Sequence, residues 1–204
     1  VCLLYLIRHG ATDNNEANPP KLQGRRTDPG LSAKGRDQAM RAAQWLASQG
    51  ISAVYASPLL RARQTAEPIA KLAGVSVELR DDITEIDVGE WEELAWEEIE
   101  RRNPVEYRLF MTDASQHPYL GGENLSTVQH RAIPAMASLM AANLGRRIAV
   151  VSHNVVNRSY LSHLLNIPLK CYRSIPQENC CVNLIRFAND ESKLVTVNSV
   201  WHLL

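Results

Sequence analysis

Neither sign of charge predominates in this 204-residue chain: Lys plus Arg and Asp plus Glu both number 22. Broad binding to nucleic acid or to an acidic membrane needs a basic surplus or stripe, and composition supplies neither. No apolar run approaches the ~20 residues of a membrane span. Cysteine is scarce. Cys2, Cys171, Cys180 and Cys181 show neither metal-ligand spacing nor a secreted disulfide pattern, and the two adjacent ones are poor partners for each other. Free thiols in a reducing cytosol are the expectation, and the compartment assigned is the cytoplasm. No internal repeat and no low-complexity linker interrupts the chain. What is present is ordinary for a globular protein: 45% hydrophobic and 22% charged residues, enough for one substantial domain over 1–204.

Strand-like and helix-like segments alternate, which predicts an α/β fold with a mostly parallel central sheet. Residues 2–7 are apolar without interruption, as in a strand covered on both faces. "LSAKGRDQAMRAAQWLASQG" reads as a helix capped by Ser32 and stopped by Gly50. "SAVYAS", "VSVEL" and "RRIAVVSH" read as further strands, and "NVVNRSYLSHLL" as a helix. "PLLRARQTAEPIAKLAG" reads as a helix that Pro68 should kink or interrupt. "CCVNLIRF" and "KLVTVNSV" form a hairpin through "ANDES". The stretch from about 87 to 143 is rich in Glu, Arg and Trp and broken by Pro104 and Pro118; it predicts a helical cap over one end of the sheet.

Two strands end alike, "LYLIRHG" at His9 and "IAVVSHN" at His153, while "AVYASPLLR" delivers Arg61 in the first turn of a helix. Ligands of open α/β sheets bind beyond the carboxyl ends of the strands. Two histidines with Arg8 and Arg61 thus share one rim, which suits a phosphate: guanidinium forks for its oxygens and an imidazole near phosphorus. A lone histidine at a strand end is more often structural. It is the convergence that points to an anion-handling active site. His9, His153, Asp13 and Glu85 are also zinc-ligand types. However, no His pair has HExxH spacing and the arginines repel a cation, so no metal site is assigned.

The motifs resemble the histidine phosphatase superfamily, also called the phosphoglycerate-mutase-like family. "LIRHGATDNN", "LQGRRTDPGLSAKGRDQA", "ASPLLRARQTA", "ITEIDVGEWEE", "GGENLSTVQHR" and "VVSHNVVNR" match its signatures in order. The resemblance implies a three-layer α/β/α sandwich and a phosphomonoester hydrolase acting through a phosphohistidine. His9 would be the nucleophile and Glu85 the proton donor, with Arg8, Asn15, Arg61, His153 and Asn154 on the phosphate. Gln23, Gly24 and Arg25 would border the substrate pocket. Arg26, Trp91, Tyr119 and the Gly121-Gly122 loop are further candidates there. No cofactor or metal is implied. The partner is a small phosphorylated substrate, with a homodimer left open.

Three positions depart from the pattern: Asn154 where glycine is common, Asn124 for serine and Ala11 for glutamate. They bear on the pocket wall and on substrate identity more than on chemistry. A cofactor-dependent mutase is the alternative, and a non-catalytic phosphate-binding module ranks last because every matched catalytic position is filled. Family mutases are typically longer, and here the final strand ends near the C-terminus with no tail to act as a lid. The expectation is therefore hydrolysis.

Overall fold

The computed structural model describes residues 1–204. At its centre lies β1 (Cys2–Arg8), parallel to β4 (Arg147–Ser152) on one side and antiparallel to β5 (Val182–Ala188) on the other. Beyond β4 come β2 (Ala53–Ala56) and β3 (Val77–Leu79), both parallel to it; β6 (Glu191–Ser199) closes the other edge. The order is β3-β2-β4-β1-β5-β6, a mixed sheet whose first four strands are parallel. The expected hairpin joins β5 to β6. Its two turn residues, Asn189 and Asp190, have φ of 53° and 61°, the left-handed pair of a type I′ turn.

The uninterrupted apolar run of β1 is explained by its two covered faces. Tyr5 and Ile7 point toward α2 (Ala33–Ala47) and α3 (Leu60–Ala73), whose alanine-rich faces pack close to the sheet. Cys2, Leu4 and Leu6 join the opposite core with α6 (Leu125–Ala142) and α7 (Asn154–Leu164). Two helical layers thus sandwich one sheet. Ser32 caps α2 as expected, accepting from the Gly35 N–H at 3.1 Å. Gly74 ends α3 with φ of 70°.

Two expectations change. Helix α3 runs uninterrupted through Pro68, because Ala62, Ala66, Ile69 and Ala70 hold it on the sheet at both sides of the missing N–H. The helical insertion of 87–143 divides in two. α6 belongs to the sandwich layer, since Val128, Ala132, Ala135, Met136 and Leu139 face the core. The remainder carries α4 (Trp96–Arg102) and α5 (Pro104–Thr112), built round a knot of Trp91, Trp96, Phe110 and Tyr119. No helix is long and apolar enough to cross a membrane.

Candidate active site

At the carboxyl end of β1 the sheet gives way to a loop tied down from three sides. The His9 N–H donates to the Ser152 carbonyl at 3.0 Å, and the Cys180 N–H reaches the Arg8 and His9 carbonyls. Gly10 donates to Thr65 Oγ1 on α3 at 3.0 Å, and Ala11 to Gln38 Oε1 on α2 at 2.9 Å. Glycine is required at Gly10 because a Cβ there would lie 2.5 Å from the Gly35 carbonyl oxygen. This anchoring fixes His9, which is buried; its Nδ1 lies 2.7 Å from the Gly10 carbonyl. A carbonyl can only accept, so Nδ1 carries the hydrogen and Nε2 keeps its lone pair.

His153 follows β4 and is the N-cap residue of α7; its ring centroid lies 5.2 Å from that of His9. Both of its ring nitrogens are buried without a protein partner. Glu85 comes from the loop after β3. Its Oε1 accepts from the Ile86 N–H at 2.9 Å and its Oε2 from the Val155 N–H, in the first turn of α7, at 3.2 Å. Arg131 on α6 holds this loop through the Asp82 and Glu85 carbonyls.

Arg61 is wholly buried in the first turn of α3. Its Nη2 donates to the Gly24 carbonyl at 2.6 Å, while Nε and Nη1 have no hydrogen-bond partner. Asp28 serves both ends of this arrangement: its Oδ1 accepts from the Leu60 N–H at 2.7 Å and lies 3.9 Å from Arg61 Nη1. Arg8 donates from Nη1 to the Gln177 carbonyl at 2.6 Å and leaves a buried Nε unpartnered. Asn15 closes a capping box with Thr12 at the start of α1 (Asp13–Glu16). Its Oδ1 also accepts from Asn179 Nδ2 at 3.1 Å, so Nδ2 is the group left to donate.

Burial of these groups sets their charge. Desolvation, reinforced by Arg61 and then Arg8, holds the His9 imidazole well below its usual range. His153 is lowered likewise, by burial first and then by Arg61 and His9. Burial raises the Glu85 carboxyl against the opposing pull of its two N–H contacts and of Arg61. The site therefore holds neutral imidazoles, guanidinium cations and a carboxyl biased toward its protonated form. No group of three or more His, Cys, Asp or Glu side chains is placed to hold a metal ion.

Arg8, His9, Asn15, Gln23, Glu85 and Asn154 line a cavity of about 370 Å³, with Arg61 and His153 fully buried behind them. Two pocket candidates have contacts of another kind. Gly24 is a packing residue whose carbonyl aims Arg61, and a Cβ there would meet the Ile86 carbonyl at 2.8 Å. Arg25 lies outside the cavity wall, on the surface 3.8 Å from Glu123. Of the further candidates, Tyr119 lines the cavity; Trp91 is in the core, donating to Asn103, and Arg26 forks onto Asp87. The departures are accommodated locally. Asn154 is the first residue of α7 with ordinary helical backbone, and Asn124 caps α6 as a serine would, accepting from the Thr127 N–H at 2.9 Å. Ala11 is buried, its carbonyl accepting from the Ser32 N–H.

Sequence reasoning missed Lys21, Trp96, Arg158, Tyr172 and Arg173, which also line the wall. For Arg158 a signal existed: it stands four residues after Asn154, on the same face of α7. Arg173 lies in a short 3₁₀ segment, Leu169–Ser174, and reaches the cavity only through tertiary packing.

Known proteins share this architecture along its whole length. Phosphoserine phosphatase 1 of Hydrogenobacter thermophilus is 30% identical over 200 residues, covering 98% of this chain and 93% of its own. GpmB of Salmonella paratyphi A, named a probable phosphoglycerate mutase, is 29% identical, covering 92% of this chain and 86% of its own. The crystal structure of the Entamoeba histolytica phosphoserine phosphatase in complex with 3-phosphoglyceric acid superposes with a TM-score of 0.89 at 28% identity, covering 100% of both chains. The family model of the histidine phosphatase superfamily, branch 1, matches residues 4–200, and the chain belongs to that family.

Proposed function

We propose that the protein hydrolyses a small phosphomonoester through a phosphohistidine on His9. One observation carries this reading. Arg8 Nε, Arg61 Nε and Nη1, and both ring nitrogens of His153 are buried without hydrogen-bond partners beside a neutral imidazole. Buried polar groups are normally satisfied, and a cluster of orphaned guanidinium N–H groups, joined by the one N–H of a neutral His153, calls for an anion. A phosphoryl group suits them, with Asn15 Nδ2 as a further neutral donor.

The His9 Nε2 lone pair attacks phosphorus in line as the bond to the alcohol oxygen breaks. Glu85 protonates the departing oxygen. As a carboxylate it then takes a proton from the water that attacks the phosphohistidine, and cleavage of the N–P bond returns neutral His9 and inorganic phosphate. Positive charge to neutralise the transferred group is supplied by guanidinium, so the proposal asks for no metal or cofactor. The setting we assign is the cytoplasm, where four free thiols stay reduced.

Brief incubation with a phosphate-labelled substrate is expected to label the wild-type protein at His9, with acid-labile and base-stable label, and to leave His9→Ala unlabelled and inactive. Label that survives acid, or that maps elsewhere, overturns the assignment. The likeness to GpmB favours a second reading, a phosphoglycerate mutase. Both readings label His9 and differ in the acceptor. Release of the label as inorganic phosphate supports hydrolysis, and transfer to added phosphoglycerate supports the mutase.

A further inference from the structure

We infer that three buried amides behind the site, Gln177, Asn183 and Asn157, are positioning residues that aim the Arg8 guanidinium. The inference rests on the phosphatase reading, in which Arg8 holds the transferred group. It adds residues that do not themselves line the cavity.

The Arg8 guanidinium makes one hydrogen bond to the protein, from Nη1 to the Gln177 carbonyl at 2.6 Å, and its Nε is buried without a hydrogen-bond partner. A planar fork held at one point takes its orientation from where that carbonyl stands. Gln177 lies between the 3₁₀ segment Leu169–Ser174 and β5, outside both. Its own side chain fixes it by turning into the interior. Gln177 and Asn183 pair amide to amide: Gln177 Nε2 donates to Asn183 Oδ1 at 2.8 Å, and Asn183 Nδ2 donates to Gln177 Oε1 at 2.9 Å. Asn157 Nδ2, on α7, adds another bond to Gln177 Oε1 at 3.1 Å. Asn183 Nδ2 also donates to the Leu6 carbonyl at 3.1 Å, and its Oδ1 accepts from the Asn198 N–H at 2.9 Å. A carbonyl only accepts and a backbone N–H only donates, so these two contacts assign both ends of the Asn183 amide.

Leu6 stands opposite Asn183 in the β1–β5 register, two residues before Arg8 on the same strand. The network therefore sets the Gln177 carbonyl relative to the strand that carries Arg8. Asn157 ties it also to the helix that His153 caps. Fully paired, a buried polar network specifies one arrangement; half paired, it is worse than an apolar core. The same bonds have a structural use, since β5 and β6 shift register between Val182 and Leu184, where the Asn198 N–H meets Asn183. Aiming and structural support differ in one respect: aiming matters only while residue 8 has a plane to aim.

Orthovanadate binding by calorimetric titration tests this, with urea unfolding to show that each variant is folded. Gln177→Met keeps the backbone carbonyl and removes the side-chain amide. In the wild-type background it is expected to weaken vanadate binding about tenfold, the scale of one misaligned charge-assisted hydrogen bond. Arg8→Lys keeps the charge, and with it a measurable affinity, but an ammonium has rotating donors and no plane. In that background Gln177→Met should change binding by less than about twofold. A general loosening of the site would weaken both backgrounds alike, so the difference is a readout that structural support alone does not produce. If Gln177→Met fails to fold, Asn157→Ala decides, because it removes a single neutral bond from a helix position. It should cost about threefold in the wild-type background and nothing measurable beside Arg8→Lys. Equal losses in the two backgrounds, or no loss in either, overturn the positioning role and leave the phosphatase reading standing. A wild-type protein that binds no vanadate and takes no label on His9 overturns both.

Discussion

Glu85 and His9 are both buried on the wall of one cavity under opposite requirements, and one physical cause meets both. Removal from water disfavours whichever form is charged, so it keeps a proton on the carboxyl and keeps one off the imidazole. If Glu85 protonates the leaving oxygen, its removal should cost most when that oxygen is a poor leaving group. Glu85→Gln is expected to lower kcat/KM by ~10²–10⁴ for an alkyl phosphate and far less for the phosphorylation step with p-nitrophenyl phosphate. The aryl measurement is a rapid-quench burst, because Glu85 also activates water in dephosphorylation. Equal losses in that step would make Glu85 a positioning residue. At this scale the candidate site was legible in the sequence wherever a side chain is delivered by the end of a strand or the start of a helix. Arg8, His9, His153 and Arg61 are of that kind. The contacts of Arg25 and Gly24 were not legible, because neighbouring residues in a loop can face opposite ways, and only the approach of Ile86 and Glu92 shows which way Gly24 faces.

Helix α2 carries no catalytic candidate, yet it sets the position of the His9 loop. Gly35 sits where a Cβ would lie 1.9 Å from the Ala11 carbonyl oxygen, and Gln38, one turn on, accepts from the Ala11 N–H. Gly35→Ala must push α2 and the loop apart. The expected result is a destabilisation of roughly 1–3 kcal/mol in chemical denaturation, with kcat falling more than the apparent affinity for inorganic phosphate changes. Unchanged stability and kcat would mean the contact yields at no cost. The sequence announced this helix through its Ser32 cap and its spaced alanines, and α7 through its position after β4. It misjudged α6. Glu, Arg and Trp dominate residues 87–103, and that composition was extended over a helix whose apolar face in fact packs on the sheet. Pro68 was overweighted for a related reason: local propensity argues against a helix there, and tertiary packing outweighs it.

For the molecule as a whole, a site assembled from buried titratable groups makes folding stability depend on pH. Burial lowers His9, His153 and His202 below the ordinary imidazole value of about 6.5. Between their folded values and about pH 6.5 the unfolded chain binds protons that the native state does not. Their contribution is therefore complete above that pH and is lost as pH falls, by up to about 1.4 kcal/mol per pH unit for each of the buried His9 and His153 and by less for the half-buried His202, where solvent screens the charge. Glu85 has the opposite sign. Its raised value means that the native state holds a proton the unfolded chain has released, so its contribution falls as pH rises from about 4.5 through the folded value. With three histidines against one carboxyl, the histidines prevail across the overlap. Urea unfolding midpoints should drop from pH 7.5 to pH 5.5 in the wild-type protein. A His9→Gln/His153→Gln double variant should drop distinctly less over the same interval, whatever its stability at pH 7.5. Parallel losses in the two proteins would place the proton uptake outside the active site and would contradict neutral imidazoles there.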